Sequence, residues 1–406
     1  MWPAAVGAVA ALASLAGCTS SDALPAPSAS SLTPSAVAHP TGAASPSGSG
    51  GGSSPAASCA AQVYGRLTLA QRVGQLFLVG VSGDIAGPLT TAALQKYHFG
   101  SLLLVPSSGG VTALAAATAH MQSLGTASNA GVRMFIAANQ EGGQIQQLTG
   151  PGFAVMPTAL TQGTWSTGTL RSAAAGWGSE LRAAGVNFDL APVMDVVPAA
   201  TASSNAPVGA LQREFGSTPA GNGAHGAAFI AGMASAGVAT SAKHFPGLGR
   251  VTANTDFTAN VVDSVTGPSD PDLGSFRAAV SAGVPFVMVA LATYTKIDAS
   301  ELAVFSPTVM QLLRSSSGPG LGFGGVIMSD DIGDAAAVQS IPAGTRAISF
   351  LTAGGDLITS QSLPPAETMA AAVLAKASSS ASFRAVVDAA AQRILAAKQA
   401  YGLLPC

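Results

Sequence analysis

From residue 67 onward the chain alternates between short apolar runs and Ala-rich stretches whose apolar residues recur at helical spacing. The apolar runs lie at 74–80, 100–105, 134–138, 186–191, 238–242, 286–290, 325–329 and 356–359. Most are apolar throughout rather than alternating, as parallel strands covered on both faces require. Helical spacing fills the intervals, at 88–97, 111–124, 169–184, 221–236, 272–282, 306–315 and 344–353, with a long amphipathic stretch at 381–401. Eight strands alternating with helices in one domain predict an α/β fold, a single (β/α)8 TIM barrel. An open, doubly wound sheet is the alternative. The first strand carries no Gly-x-Gly-x-x-Gly and no Walker sequence occurs, which speaks against a nucleotide site.

Ahead of residue 59 the pattern is different. Residues 3–17 are an uncharged apolar run, shorter than the roughly 20 residues a bilayer-spanning helix needs. They read as the core of a signal peptide. The run ends in Leu15-Ala16-Gly17-Cys18, the small-residue pattern at which bacterial lipoproteins are processed, with Cys18 as the lipidated residue. No Lys or Arg precedes the apolar core, and an uncleaved N-terminal stub is the other reading. Residues 18–58 are Ser, Pro, Ala and Gly with almost no large apolar side chain, so they cannot bury enough surface to offset ordering entropy. The expected organisation is a signal peptide at 1–17, a disordered linker at 18–58 and a barrel domain at 59–406. The expected location is exported, lipid-anchored through Cys18 to the outer face of the cytoplasmic membrane, or secreted. Cys59 and Cys406 stand at the two ends of that domain, and export permits a disulfide between them; two separate surface thiols are the alternative.

Composition narrows the chemistry. Only 9% of the 406 residues are charged and the net charge is −2, so there is no basic field for nucleic acid. Five histidines without His-x-His or His-Glu-x-x-His spacing argue against a metal site, and no cofactor is expected. A barrel gathers function where its strands end and its loops begin. The third strand ends in Asn139-Gln140-Glu141, the fourth runs to Asp195, the fifth ends in Lys243-His244, the sixth in Thr293-Tyr294 and the seventh in Ser329-Asp330-Asp331. Asp330 suits a nucleophile or an electrostatic anchor, or else a helix N-cap. Lys243 and His244 suit ligand contacts, or else structural pairing with Asp195 or Glu141.

With these residues in view, the stretch from 67 to 403 resembles the glycoside hydrolase family 3 β-N-acetylhexosaminidases, bacterial enzymes that trim N-acetylglucosamine from peptidoglycan fragments. The resemblance rests on LTLAQRVGQLFLVG (67–80), NQEGGQIQQL (139–148) with GPGF (150–153), VNFDLAPVMDV (186–196), REFG (213–216), KHFPG (243–247) and GVIMSDD (325–331). It implies a single barrel, a retaining double displacement and no cofactor. By motif it implies Asp330 as the nucleophile and Arg213, Lys243 and His244 as residues gripping sugar hydroxyls. Asn139 and Gln147 fall at further sugar-contacting positions. The implied partners are a carbohydrate substrate and, through Cys18, a membrane; a monomer is expected.

The chain departs from the family pattern inside this site. The family's third-strand motif begins with Asp where this chain has Asn139, and carries Arg where it has Gln144 and Gln147. Three charges are missing, consistent with loss of one ion-paired network. The family keeps an Asp-Ser-His triplet in the loop after KHFPG, whose His is the acid/base. Counted without gaps, that triplet falls on Asn254-Thr255-Asp256. A carboxylic acid is the ordinary glycosidase proton donor, so Asp256 is the expected acid/base, provided burial or proximity to Asp330 raises its pKa. Two alternatives stay open: an acid/base from another loop, and a degenerate site that binds glycan at the cell surface without cleaving it.

Overall fold

The computed structural model describes residues 58–81 and 85–406. The expected signal peptide, Cys18 and the linker up to residue 57 lie outside the described residues. Eight strands form a closed barrel: β1 (Phe77–Val81), β2 (Ser101–Leu104), β3 (Phe135–Ala138), β4 (Phe188–Asp189), β5 (Ala239–Phe245), β6 (Phe286–Val289), β7 (Val326–Asp331) and β8 (Leu357–Ser360). Each pairs in parallel with its neighbour in sequence, and β8 closes onto β1 through Phe77–Ile358 and Leu78–Thr359. The order is that of a (β/α)8 barrel and excludes the open sheet.

Helices follow the strands: α1 (Cys59–Arg66) and α2 (Leu69–Gln75) precede β1, then come α3 (Pro88–Tyr97), α4 (Gly110–Ser128), α5 (Thr167–Ala183), α6 (Pro219–Ser235), α7 (Leu273–Ser281), α8 (Pro307–Arg314), α9 (Ala343–Ala353), α10 (Leu363–Ser379) and α11 (Ala381–Ala400). The sequence pattern missed α1, α2 and α10. It also began the first strand at Gly74, whereas Gly74 and Gln75 close α2. The cause is local: Thr68 and Gln71 form a reciprocal capping box that starts a helix at Leu69, and its last two residues enter the apolar run. Strand β5 runs three residues beyond its expected end, so Lys243 and His244 are strand residues held in the barrel wall rather than loop residues.

The two ends of the barrel differ. At the end where the strands begin, Phe135, Phe188 and Phe286 pack with ring centroids 4.3–5.6 Å apart, and Tyr401 lies 6.1 Å from Phe135. Lys398 of α11 is buried there, donating to Gln75 Oε1 at 2.7 Å and to the Gly100 carbonyl at 2.8 Å, and burial pulls its ammonium pKa down to about 7. This end is filled. The strand-end residues singled out in the sequence collect at the other.

A disulfide joins Cys59 at the start of α1 to Cys406, a sequence separation of 347. The bond closes nearly the whole domain into one loop and ties α1 to the segment that follows α11. Chain-entropy arguments set its contribution at up to about 5 kcal/mol. Cys59→Ser is therefore expected to lower the thermal midpoint by several degrees, and reduction should do the same to the parent protein but not to the variant. Equal midpoints for parent and variant would show that the cross-link carries no stability.

Candidate active site

The C-terminal ends of β3, β4, β5 and β7 bring the singled-out residues to one rim. Glu141, two residues past Asn139, is the hub. Its Oε1 lies 2.6 Å from Lys243 Nζ and accepts from Arg213 Nη2 at 2.9 Å, and its Oε2 accepts from Arg213 Nε at 2.8 Å. Burial alone would raise the Glu141 carboxyl, but the charges and hydrogen bonds of Arg213 and Lys243 outweigh it and hold the pKa at about 2. Lys243 also donates to Asn139 Oδ1 at 2.8 Å. An ammonium has only donors, so this contact fixes the amide and turns Asn139 Nδ2 away from Lys243. Gln147 is bound to the same residue: its Oε1 accepts from the Asn139 N–H at 3.3 Å and its own N–H donates to the Asn139 carbonyl at 3.1 Å. Positions 139 and 147 are therefore adjacent, as a shared network requires. Gln144 is exposed and is bonded to neither.

A second buried pair supports the first. His244 Nδ1 lies 2.7 Å from Asp195 Oδ2, and Asp195 Oδ1 accepts from the backbone N–H groups of His244 at 3.0 Å and Leu248 at 2.9 Å. His244 Nε2 is 3.5 Å from Arg213 Nη2. The Asp195 carboxylate only accepts, so the ring carries a proton on Nδ1, facing Asp195. The pairings of Lys243 with Glu141 and of His244 with Asp195, set against ligand contacts on the sequence alone, are both present. They do not exhaust the donors at this edge.

Asp330 lies on β7, not at a helix cap. Its Oδ1 accepts from the N–H of Asp331 at 2.8 Å, and Oδ2 has no partner among the described residues. Asp331 is buried and accepts from the N–H groups of Gly333 at 2.9 Å, Gln361 at 3.1 Å and Asp334 at 3.2 Å. It ties the end of β7 to the segment after β8. Burial raises its carboxyl to about 7 despite those three amides.

Asp256 is half-buried in the loop after β5, and its N–H donates to Asn254 Oδ1 at 2.9 Å. Burial raises its pKa, and the Asp330 charge raises it further; His244, Arg213 and Lys243 pull it back. The loop residue expected to carry a proton thus feels the charge of the strand residue expected to be the nucleophile. Among the described residues no group of His, Cys, Asp and Glu could hold a metal ion, and no helix is long and apolar enough to cross a membrane.

Sequence reasoning passed over two buried residues nearby. Asp189, at the end of β4, accepts from the Gln140 N–H at 3.0 Å through Oδ1, while Oδ2 has no partner among the described residues, and burial raises its pKa well above its ordinary value. Asn205 is buried and uses both ends of its amide on backbone groups. The apolar run around Asp189 signalled only a strand, and nothing local distinguishes Asn205 from a turn residue.

Residues 68–397 match the glycosyl hydrolase family 3 N-terminal domain. The β-hexosaminidase LpqI of Mycobacterium tuberculosis is 30% identical over 346 residues, covering 83% of this chain and 81% of that protein. A crystal structure of a β-N-acetylhexosaminidase from Beutenbergia cavernae superposes with a TM-score of 0.79 at 45% identity, covering 82% of this chain and 99% of that one. A β-N-acetylglucosaminidase of the same family from a Paenibacillus strain gives a TM-score of 0.72 at 28% identity, over 83% of this chain and 63% of that one.

The Glu141 hub generates a stability prediction. Glu141→Gln keeps the shape but leaves the buried Lys243 and the half-buried Arg213 without their counter-charge, so a loss of about 3–5 kcal/mol is expected at pH 7. A carboxylate with a depressed pKa contributes stability that is full above its unfolded value and is lost as pH falls through its folded value. The gap between parent and variant in denaturant titrations should therefore shrink from about pH 4.5 downward toward pH 2. A gap independent of pH would assign the loss to packing.

Proposed function

The chain belongs to glycosyl hydrolase family 3, and from that premise we propose that it is a retaining glycosidase that releases β-linked N-acetylglucosamine or a related sugar from peptidoglycan or other glycan fragments. The observation that carries the mechanism is the pairing of Asp330, with one carboxylate oxygen unpartnered, and Asp256, whose pKa is raised by burial and by Asp330 itself. In the first step an Asp330 oxygen attacks the anomeric carbon as the glycosidic C–O bond breaks. Asp256 gives its proton to the departing oxygen. In the second step the Asp256 carboxylate takes a proton from water as that water attacks the anomeric carbon, and the ester bond to Asp330 breaks. A raised pKa suits both roles: Asp256 enters the first step protonated and the second as a base.

Donor bookkeeping supports the sugar-contact roles. Lys243 spends its protons on Glu141 and Asn139, which leaves one of three for a ligand. Asn139 Nδ2 is unpartnered among the described residues and offers donors where an Asp would offer acceptors. Hydrogen bonds from such groups to sugar oxygens strengthen as oxocarbenium character develops, and that difference lowers the barrier. The same proposal places the protein outside the cytoplasm, anchored through Cys18. The Cys59–Cys406 disulfide supports an oxidising compartment.

The test is turnover of aryl β-glycosides and covalent trapping. Asp330→Asn is expected to abolish turnover. A 2-deoxy-2-fluoro or 5-fluoro glycosyl fluoride should label the parent protein on Asp330. Asp256→Ala should slow unactivated glycosides by about 10²–10⁴-fold, and on 2,4-dinitrophenyl glycosides azide should restore turnover by attacking the glycosyl-enzyme in place of base-activated water. A rate unchanged by Asp330→Asn, or a label on another residue, overturns the mechanism. Saccharide binding with neither turnover nor label would favour the glycan-binding reading, which the neutral residues Asn139, Gln144 and Gln147 motivate.

A further inference from the structure

The loop that carries Asp256 is fastened at several points. Where it leaves β5, Tyr294 Oη donates to the Gly247 carbonyl at 2.8 Å and the Leu248 N–H is held by Asp195. Gly249 passes so close to β4's loop that a Cβ there would meet the Val196 carbonyl oxygen at 1.8 Å. Arg250 is fixed by Asp270 at 2.5 Å and Asp272 at 2.7 Å. Asn205 donates to the Leu248 carbonyl at 2.8 Å and the Val251 carbonyl at 2.6 Å, and accepts from the N–H groups of Val208 at 3.1 Å and Gly209 at 2.8 Å.

The far end of the loop is held by a different element. The segment after β7 forms a short 3-10 turn, Ala336–Val338. The first N–H groups of such a turn have no partner within it. Here the Ala336 N–H donates to the Asp256 carbonyl at 3.0 Å and the Ala337 N–H donates to the Thr255 carbonyl at 3.1 Å. Thr255 is buried. The residue proposed to move the proton is thus gripped by the chain segment that leaves the nucleophile's own strand, six residues beyond Asp330.

We propose that the Ala336–Ala337 amides, with Asn205 at the hinge, are positioning residues that hold Asp256 over Asp330 before substrate arrives. The acid/base loop is pre-set rather than closed by the sugar. This rests on the reading of Asp256 as acid/base. It follows from two contacts to adjacent backbone carbonyls, which fix the direction of the peptide carrying the Asp256 side chain, together with a hinge that is saturated with hydrogen bonds.

Ala336→Pro tests it in the full chain. The substitution removes the N–H at the first position of a helical turn, where proline's fixed φ is tolerated. The preceding Ala335 already has ψ of 136°, the extended conformation that a residue before proline requires. Ala336→Gly keeps the N–H and serves as the backbone control. A misplaced acid matters only when the leaving group needs protonation. Ala336→Pro is therefore expected to lower kcat/KM about 10–100-fold on alkyl or saccharide aglycones, while 2,4-dinitrophenyl glycosides fall by no more than about threefold; Ala336→Gly should resemble the parent on both. Equal losses on the two substrate types, or no loss on either, overturn the proposal, and the thermal midpoint shows whether the variant is folded. Asp256→Ala in the same assay separates the two levels. If Asp256→Ala shows no dependence on leaving group, the assignment of Asp256 fails. If Asp256→Ala shows it and Ala336→Pro does not, only the latch fails.

Discussion

The mouth of this barrel depends on one buried carboxylate. Glu141 meets Lys243 and Arg213 from two different segments, β5 and the long connection between β4 and α6. Without that charge, a buried lysine and a half-buried arginine would stand side by side in a chain with few charges to spare. Their mutual repulsion and desolvation would open the rim. With it, the guanidinium plane is fixed through two contacts to one carboxylate, and the position of the His244 ring follows, because Arg213 touches Nε2 while Asp195 holds Nδ1. Each ion pair is held in turn by backbone groups, so a local change at Glu141 reaches the fifth strand and its loop.

That dependence separates two kinds of order. In the ionic hub and the His244–Asp195 pair, Lys243 and His244 belong to β5, and Glu141 and Asp195 are buried beside them. The Asp256 loop is held by backbone carbonyls, a single buried amide and a surface ion cluster around Arg250. The first arrangement resists motion because moving it would strand charges. The second can be tuned one hydrogen bond at a time. The proposed mechanism asks for a rigid nucleophile and an acid/base set in direction, and the two kinds of order suit those two demands.

Much of the fold could be read from the chain because a parallel barrel writes itself as repeated apolar runs separated by helical spacing. All eight runs correspond to barrel strands. The misreadings have local causes. Gly74 and Gln75 look like strand because the apolar run is continuous, and only the Thr68–Gln71 capping box reveals the helix. Helix α10 begins with Leu-Pro-Pro and then runs through small residues, so its apolar face is narrow and its start resembles a loop. At the site, the residue types at strand ends pointed to Asp330, Lys243 and His244. Asn205 and the Ala336–Ala337 amides could not be found that way. A backbone N–H carries no sequence signature, and a buried Asn reads like any turn residue until its partners from distant segments are known.

The altered residues at 139 and 147 also gain meaning from geometry. An Asp and an Arg at these positions would pair by charge. Asn139 and Gln147 instead bind through the backbone of Asn139 and the side-chain oxygen of Gln147. The turn after β3 therefore keeps its closure while giving up charge of both signs, and Lys243 still finds an oxygen at position 139. What changes is the face offered outward. The amide nitrogen of Asn139 replaces an acceptor with a donor, beside a lysine and an arginine that are donors already. An edge so rich in donors favours a ligand that brings acceptors to it, such as an acyl carbonyl or ring-substituent oxygens whose protons are directed elsewhere. The exchange thus shifts the hydrogen-bonding sense of the β3 edge, and under the proposed sugar-contact role that edge is where a preference among sugars would be set.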